Sequence, residues 1–199
     1  MTFTPITHLR HVDLAVSDFA AQCDFYGTHW GLVPTSDGDG LTYFAAEGSP
    51  EQYVVRVRRA ERAADKRIDL IAFGVADRTA VDALAAELAR SEVQLVSEPD
   101  VLQTPGGGYG FRCFDPNGLT IEISSDVEYR RHRTLEPREA IPVRLSHVVV
   151  NSPTPEATRA GYEQHLGFRV SDTLHHPAMG ELFSFMRCNA QHHVFAIAR

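Results

Sequence analysis

Hydrophobic and polar positions alternate over residues 11–16 (HVDLAV), the two-residue period of a strand with one polar and one apolar face. A helical stretch ending FYGTHWGL follows, with Asp18 placed to cap its first turn and Gly31 to supply a left-handed stop. Two apolar strands come next, over residues 41–45 and 53–58. The same succession returns without a gap 136 residues later, so that His11 falls on His147, Tyr26 on Tyr162, His29 on His165 and Gly31 on Gly167, with Thr154 standing for Asp18. After a small gap Gln52-Tyr53-Val54-Val55 lies against His192-His193-Val194-Phe195, and strands are predicted over 182–188 and 193–198. Each copy reads as βαβββ.

A third unit of the same order lies between them. Residues 67–75 form an apolar strand, and 79–90 a helix with Val81, Leu84, Ala85 and Leu88 on one face. A strand over 93–96, a flexible Gly106-Gly107-Gly108 turn and a hairpin of 110–114 with 119–124 follow. Asp115-Pro116-Asn117-Gly118 makes the hairpin turn, where Pro presets φ and Gly accepts a positive one. Residues 129–143 are charged and proline-bearing, which predicts a linker. The expected class is α+β: modules at 1–62 and 66–128 in a first domain, and a third module at 144–199 opening a second. A curved sheet of this kind needs its open face covered. The third module has no mate in this chain, so the sequence reads as cut between modules, or as a homo-oligomer that hides the face.

Composition narrows the partners. Nineteen Lys and Arg against 26 Asp and Glu give a formal charge of −7, which argues against nucleic acid. No apolar run approaches the roughly 20 residues of a bilayer span, and the polar N-terminus lacks a signal core, so no membrane partner and a cytoplasmic location are expected. Cys23, Cys113 and Cys188 are odd in number and widely spaced, as free buried thiols would be.

The βαβββ repeat, the His near the module starts and FDPNGLTIEIS at residues 114–124 resemble the vicinal oxygen chelate superfamily of glyoxalases, bleomycin-resistance proteins and dioxygenases. The layout after the linker, opening LSHVVV and ending CNAQHHVFAIA, resembles the type I extradiol dioxygenases. That resemblance implies paired modules forming an open curved barrel. It also implies an enzyme that cleaves a small aromatic diol with O2 at an Fe(II), or alternatively Mn(II), held by two His and one Glu. Carried over by motif, His147 is a metal ligand, His193 the acid-base catalyst, and Val149 and Phe185 line the ring pocket, with His192 unassigned. The other His and the Glu would lie beyond Arg199, so the metal is expected to be absent or weakly bound and the chain inactive alone. Alternation along a strand allows only one of His192 and His193 to face the barrel. In the first domain His11 and Glu122 read as remnants, because Leu70 stands where the family has its second His and Asp69 faces away. His29, His132 and His165 are expected to be solvated or structural, and His175-His176 to lie in a loop. Two rival functions are a glyoxalase-like isomerase using the His11 site and a metal-free small-molecule binder.

Overall fold

The computed structural model describes residues 5–199. Strand β1 spans Ile6–Val16, α1 Phe19–Asp24 with a π-helical turn at Phe25–His29, and β2 to β4 span Val33–Gly38, Leu41–Ala45 and Val55–Arg59. The second unit runs β5 Arg67–Val75, α2 Arg78–Leu88, β6 Leu95–Val101, β7 Tyr109–Phe114 and β8 Thr120–Ser125. The third runs β9 Val148–Asn151, α3 Pro155–Leu166, β10 Arg169–His176, β11 Gly180–Arg187 and β12 Phe195–Ala198. This is an α+β fold of three βαβββ modules. Among the described residues no helix is long and apolar enough to cross a membrane.

The first two modules join edge to edge. Antiparallel pairing of β1 with β5 makes one eight-stranded sheet in the order β2-β3-β4-β1-β5-β8-β7-β6, and the third module is a separate sheet in the order β10-β11-β12-β9. Among the described strands β9 keeps one edge unpaired, whereas the equivalent β1 pairs on both sides. Helix α2 buries Val81, Leu84, Ala85 and Leu88, the face its spacing predicts.

The duplication reaches the backbone hydrogen bonds. Val12 N to Val54 O at 3.1 Å recurs as Val148 N to Val194 O at 3.2 Å. Leu32 N to Tyr26 O at 3.0 Å recurs as Phe168 N to Tyr162 O at 3.1 Å. Gly31 and Gly167 take φ of 65° and 69°, the left-handed stop expected of them. The caps differ: Asp18 accepts from Ala21 N at 3.0 Å, but Thr154 makes no capping bond and its hydroxyl turns to Asn117 Oδ1 at 3.3 Å. Residues His175 and His176 are not in a loop; they end β10, in register with Glu181 and Gly180 of β11. Of the three free cysteines only Cys113 is fully buried.

The sheets share a core. Phe73 of β5 and Phe168 before β10 are both buried and meet edge to face at 5.3 Å, so apolar packing continues from the first domain into the third module. The Asp115–Gly118 turn docks there too. Asn117 Nδ2 donates to Thr158 Oγ1 at 2.8 Å, and Asn117 Oδ1 accepts from Ser152 Oγ at 3.2 Å.

Candidate functional site

Strand register sets one row of side chains across the first domain. His11 on β1 pairs with Ala72 on β5, Ala72 with Glu122 on β8, and Glu122 with Arg112 on β7. Paired residues in neighbouring strands share a face, and the short Ala72 side chain leaves a gap between its larger neighbours. Over it His11 Nε2 comes within 3.8 Å of Glu122 Oε1. Two residues along β1, on the same face, Asp13 Oδ1 accepts from His11 Nδ1 at 3.0 Å.

Both carboxylates are already satisfied by guanidinium groups. Arg112 donates twice to Glu122 Oε2, at 2.8 and 3.0 Å, and Arg56 donates to Asp13 Oδ2 at 2.9 Å. Tyr53 Oη lies 3.0 Å from His11 Nε2 and its ring stacks obliquely on the imidazole at 4.2 Å. His11 is 4% exposed and Glu122 1%. Burial by itself pushes the His11 pKa down, but Asp13 and Glu122 outweigh it and leave it raised. Burial pushes Glu122 up, and His11 with Arg112 bring it below the usual range. The remaining space beside His11, Tyr53 and Glu122 is about 10 Å³, room for no more than about one water. Charge on the two carboxylates that a divalent cation could have balanced is balanced here by two arginines, Arg56 and Arg112. Leu70 is buried, and Asp69, in the bulge between Leu70 and Ile68, ion-pairs with Arg58 and Arg67.

The third module repeats the rings without the ion pairs. His147 lies just before β9 and His193 just before β12, their centroids 4.7 Å apart, matching His11 and Tyr53. Phe185 on β11 stands 5.0 Å from His193, as Tyr43 stands 4.7 Å from Tyr53. At the position of Asp13 the third module has Val149, paired with Ala196 where Asp13 pairs with Arg56. The salt bridge of the first copy is thus an apolar wall in the third. Val149 is 43% exposed, His147 is exposed and His193 half-buried, so the wall is open.

His192 and His193 do not sit on a strand. They occupy the bend before β12, so strand alternation does not separate them; their Nδ1 atoms are 2.8 Å apart, and both rings lie beside Phe185. One Nδ1 donates and the other accepts, which fixes opposite tautomers for the neutral rings. Burial, then the neighbouring His147 and His192, lower the His193 pKa. His147 Nδ1 pairs with Ser146 Oγ at 3.1 Å. Among the described residues no group of three or more His, Cys, Asp or Glu side chains is placed to hold a metal ion.

The residues brought together are therefore His147, His193, Phe185 and Val149 in the third module and His11 with Glu122 in the first. Sequence reasoning missed Asp13, Arg56 and Arg112. Two signals could have found Asp13 and Arg112: Asp13 is two residues from His11 on one strand face, and the Asp115–Gly118 turn sets Arg112 opposite Glu122.

Residues 8–123 match the model of a family described as the Glyoxalase/Bleomycin resistance protein/Dioxygenase superfamily. Over 97% of its length the chain is 27% identical to a biphenyl-2,3-diol 1,2-dioxygenase of Metapseudomonas furukawaii, of which it covers 65%. The crystal structure of the Mn(II)-bound glyoxalase from Novosphingobium aromaticivorans superposes with a TM-score of 0.88 at 41% identity, over 98% of this chain and 62% of that one. The 2,3-dioxygenase LapB from Pseudomonas sp. KL28 superposes at 0.80 with 20% identity over 98% of this chain and 71% of its own, a likeness of fold. The chain spans a little under two thirds of the length of the Metapseudomonas and Novosphingobium proteins.

Proposed function

The chain belongs to the glyoxalase/bleomycin resistance protein/dioxygenase superfamily, and from that premise we propose that it serves extradiol cleavage of a catecholic aromatic by O2, with the open wall of the third module facing the diol. One observation carries the reading: the ring pair buried and tied by ion pairs at His11 and Tyr53 recurs at His147 and His193 on an apolar, solvent-open face. The likeness to a biphenyl-2,3-diol 1,2-dioxygenase supports the choice of an aromatic diol.

Fe(II), with Mn(II) the alternative, is the metal such chemistry uses, supplying a centre where diol and O2 can react. The donors here fit it only in part. His147 offers one imidazole, but no described carboxylate joins it to make a set of three, so this chain's own residues do not hold the metal tightly. Their contribution is to the diol. Val149 and Phe185 give the aromatic ring an apolar seat, and His193 Nε2 takes the proton of a diol hydroxyl while His192 holds Nδ1.

A glyoxalase-like isomerase is the second reading, favoured by the 41% identity to the Mn(II)-bound glyoxalase. The arginine-closed surroundings of His11 speak against placing such an activity in the first domain. A metal-free small-molecule binder of the same fold would use the open wall alone.

Calorimetric titration with 2,3-dihydroxybiphenyl, without oxygen, separates these readings. The diol is expected to bind and to bind at least about tenfold more weakly to His193→Ala. Equimolar Fe(II) is expected to leave the melting temperature unchanged, since a ligand that binds only the native state must raise it. Equal affinity for 2-hydroxybiphenyl, or Mn(II)-dependent isomerisation of a thiol hemithioacetal without diol binding, would overturn the proposal.

A further inference from the structure

A second cavity, of about 540 Å³, lies behind the third sheet, between the end of α2, the Asp115–Gly118 turn and α3. Its origin is local. Gly161 of α3 rests directly on Pro116, where a Cβ would come within 2.6 Å of the proline ring, and Thr158 is bonded to Asn117. Helix and turn therefore touch at that point. Beside it α3 presents the short side chains of Ala157 and Ala160, with Gln164, His165 and Leu166 further along the helix, and the gap stays open toward Leu88 and Ile121.

The chemistry of the lining is one-sided. It contains the carboxylates of Glu92 and Asp115 and no Lys or Arg, with His165 its one basic side chain. Asp115 is only 9% exposed. Its Oδ1 accepts from Asn117 N at 2.8 Å and Leu119 N at 2.9 Å, but Oδ2 has a single long contact, 3.4 Å, from the Tyr162 hydroxyl. An ionised carboxylate can accept about four hydrogen bonds, so a buried oxygen this poorly served is short of donors.

We propose that this cavity binds a small organic ammonium: an apolar body of one ring lies against Leu88, Ile121 and Leu166 while its N–H groups donate to Asp115 Oδ2. The volume is that of an ordinary small-molecule site, and charge complementarity selects the cation over a neutral or anionic molecule of the same shape. The position differs from the diol wall. Tyr162 stacks on Phe195 at 4.2 Å on the helix side of β12, whereas His147 and His193 stand with Phe185 and Val149 on the other side. An occupant would touch both the first domain and the third module, and the inference stands whether or not the wall binds a diol.

The test is calorimetry with 2-phenylethylamine, 2-phenylethanol and phenylacetate at pH 8. The amine is expected to bind, the alcohol at least about tenfold more weakly, as the loss of one charge-assisted hydrogen bond implies, and phenylacetate not at all. Ala157→Leu with Ala160→Leu fills the cavity from two exposed helix positions, which spares the core, and is expected to abolish binding. Asp115→Asn is expected to make amine and alcohol bind alike. Failure of the amine to bind wild type, undiminished binding to the filled-cavity variant, or phenylacetate binding as well as the amine would each overturn the proposal. The three-ligand comparison on wild type decides the matter even if Asp115→Asn does not fold.

Discussion

Glu51 shows how charge is held inside this protein. Arg10 donates to its Oε2 at 2.7 and 3.1 Å, and His8 Nε2 lies 3.1 Å from Oε1. Burial pushes the Glu51 pKa up, but His8 and Arg10 outweigh it and bring it from 4.5 to about 2. A folded pKa below the unfolded one gives stability that is full above the unfolded value and is lost as pH falls through the folded one. The span is worth roughly 3 kcal/mol. Urea unfolding between pH 5 and 2 is therefore expected to show a steep loss of stability in wild type, and a visibly shallower one in Glu51→Gln. Parallel slopes would show that Glu51 is not the group responsible. Arg112 makes the complementary point. Arg112→Met strands Glu122, which is 1% exposed, and is expected to cost about 3 kcal/mol at pH 7, whereas adding Glu122→Gln recovers much of the loss. Equal stability of Arg112→Met and wild type in urea would contradict the closed first copy. The sequence shows His11 and Glu122 as an incomplete donor set, but what neutralises them depends on register across four strands.

Among the elements, the two aligned helix starts are expected to respond differently to the same change. Asp18→Ala removes a cap and should cost about 1 kcal/mol, whereas Thr154→Ala, with no capping bond to lose, should cost only a few tenths. Thermal melts of the two variants check this. Equal losses would mean that Thr154 caps after all. Strands were legible in proportion to their burial. β5 was readable to the residue because it is a continuous apolar run in the middle of the sheet. β2 (VPTSDG) and β10 (RVSDTLHH) left no hydrophobic period, because each is the edge strand of its module and β10 is mostly solvent-facing. That is also why His175 and His176 read as loop. The bend carrying His192 and His193 was read as strand for the opposite reason, since an apolar strand begins two residues later.

At the scale of the whole molecule, the internal repeat was the most informative feature of the sequence, because aligned residues take the same hydrogen bonds in both copies. How modules associate was not legible. Edge pairing of β1 with β5 and the contact of Phe73 with Phe168 both join residues far apart in the chain, and no local period encodes them. The repeat also gives the functional assignment its logic. Two copies of one ring constellation differ in what replaces Asp13 and Arg56: in the first they form an ion pair, and in the third Val149 and Ala196 leave the face apolar and open. Imidazole nitrogen NMR during titration with 2,3-dihydroxybiphenyl tests that difference most directly. The expected result is movement of the His147 and His193 resonances with those of His11 unchanged; movement of His11, or of neither pair, would contradict the assignment of diol binding to the third module.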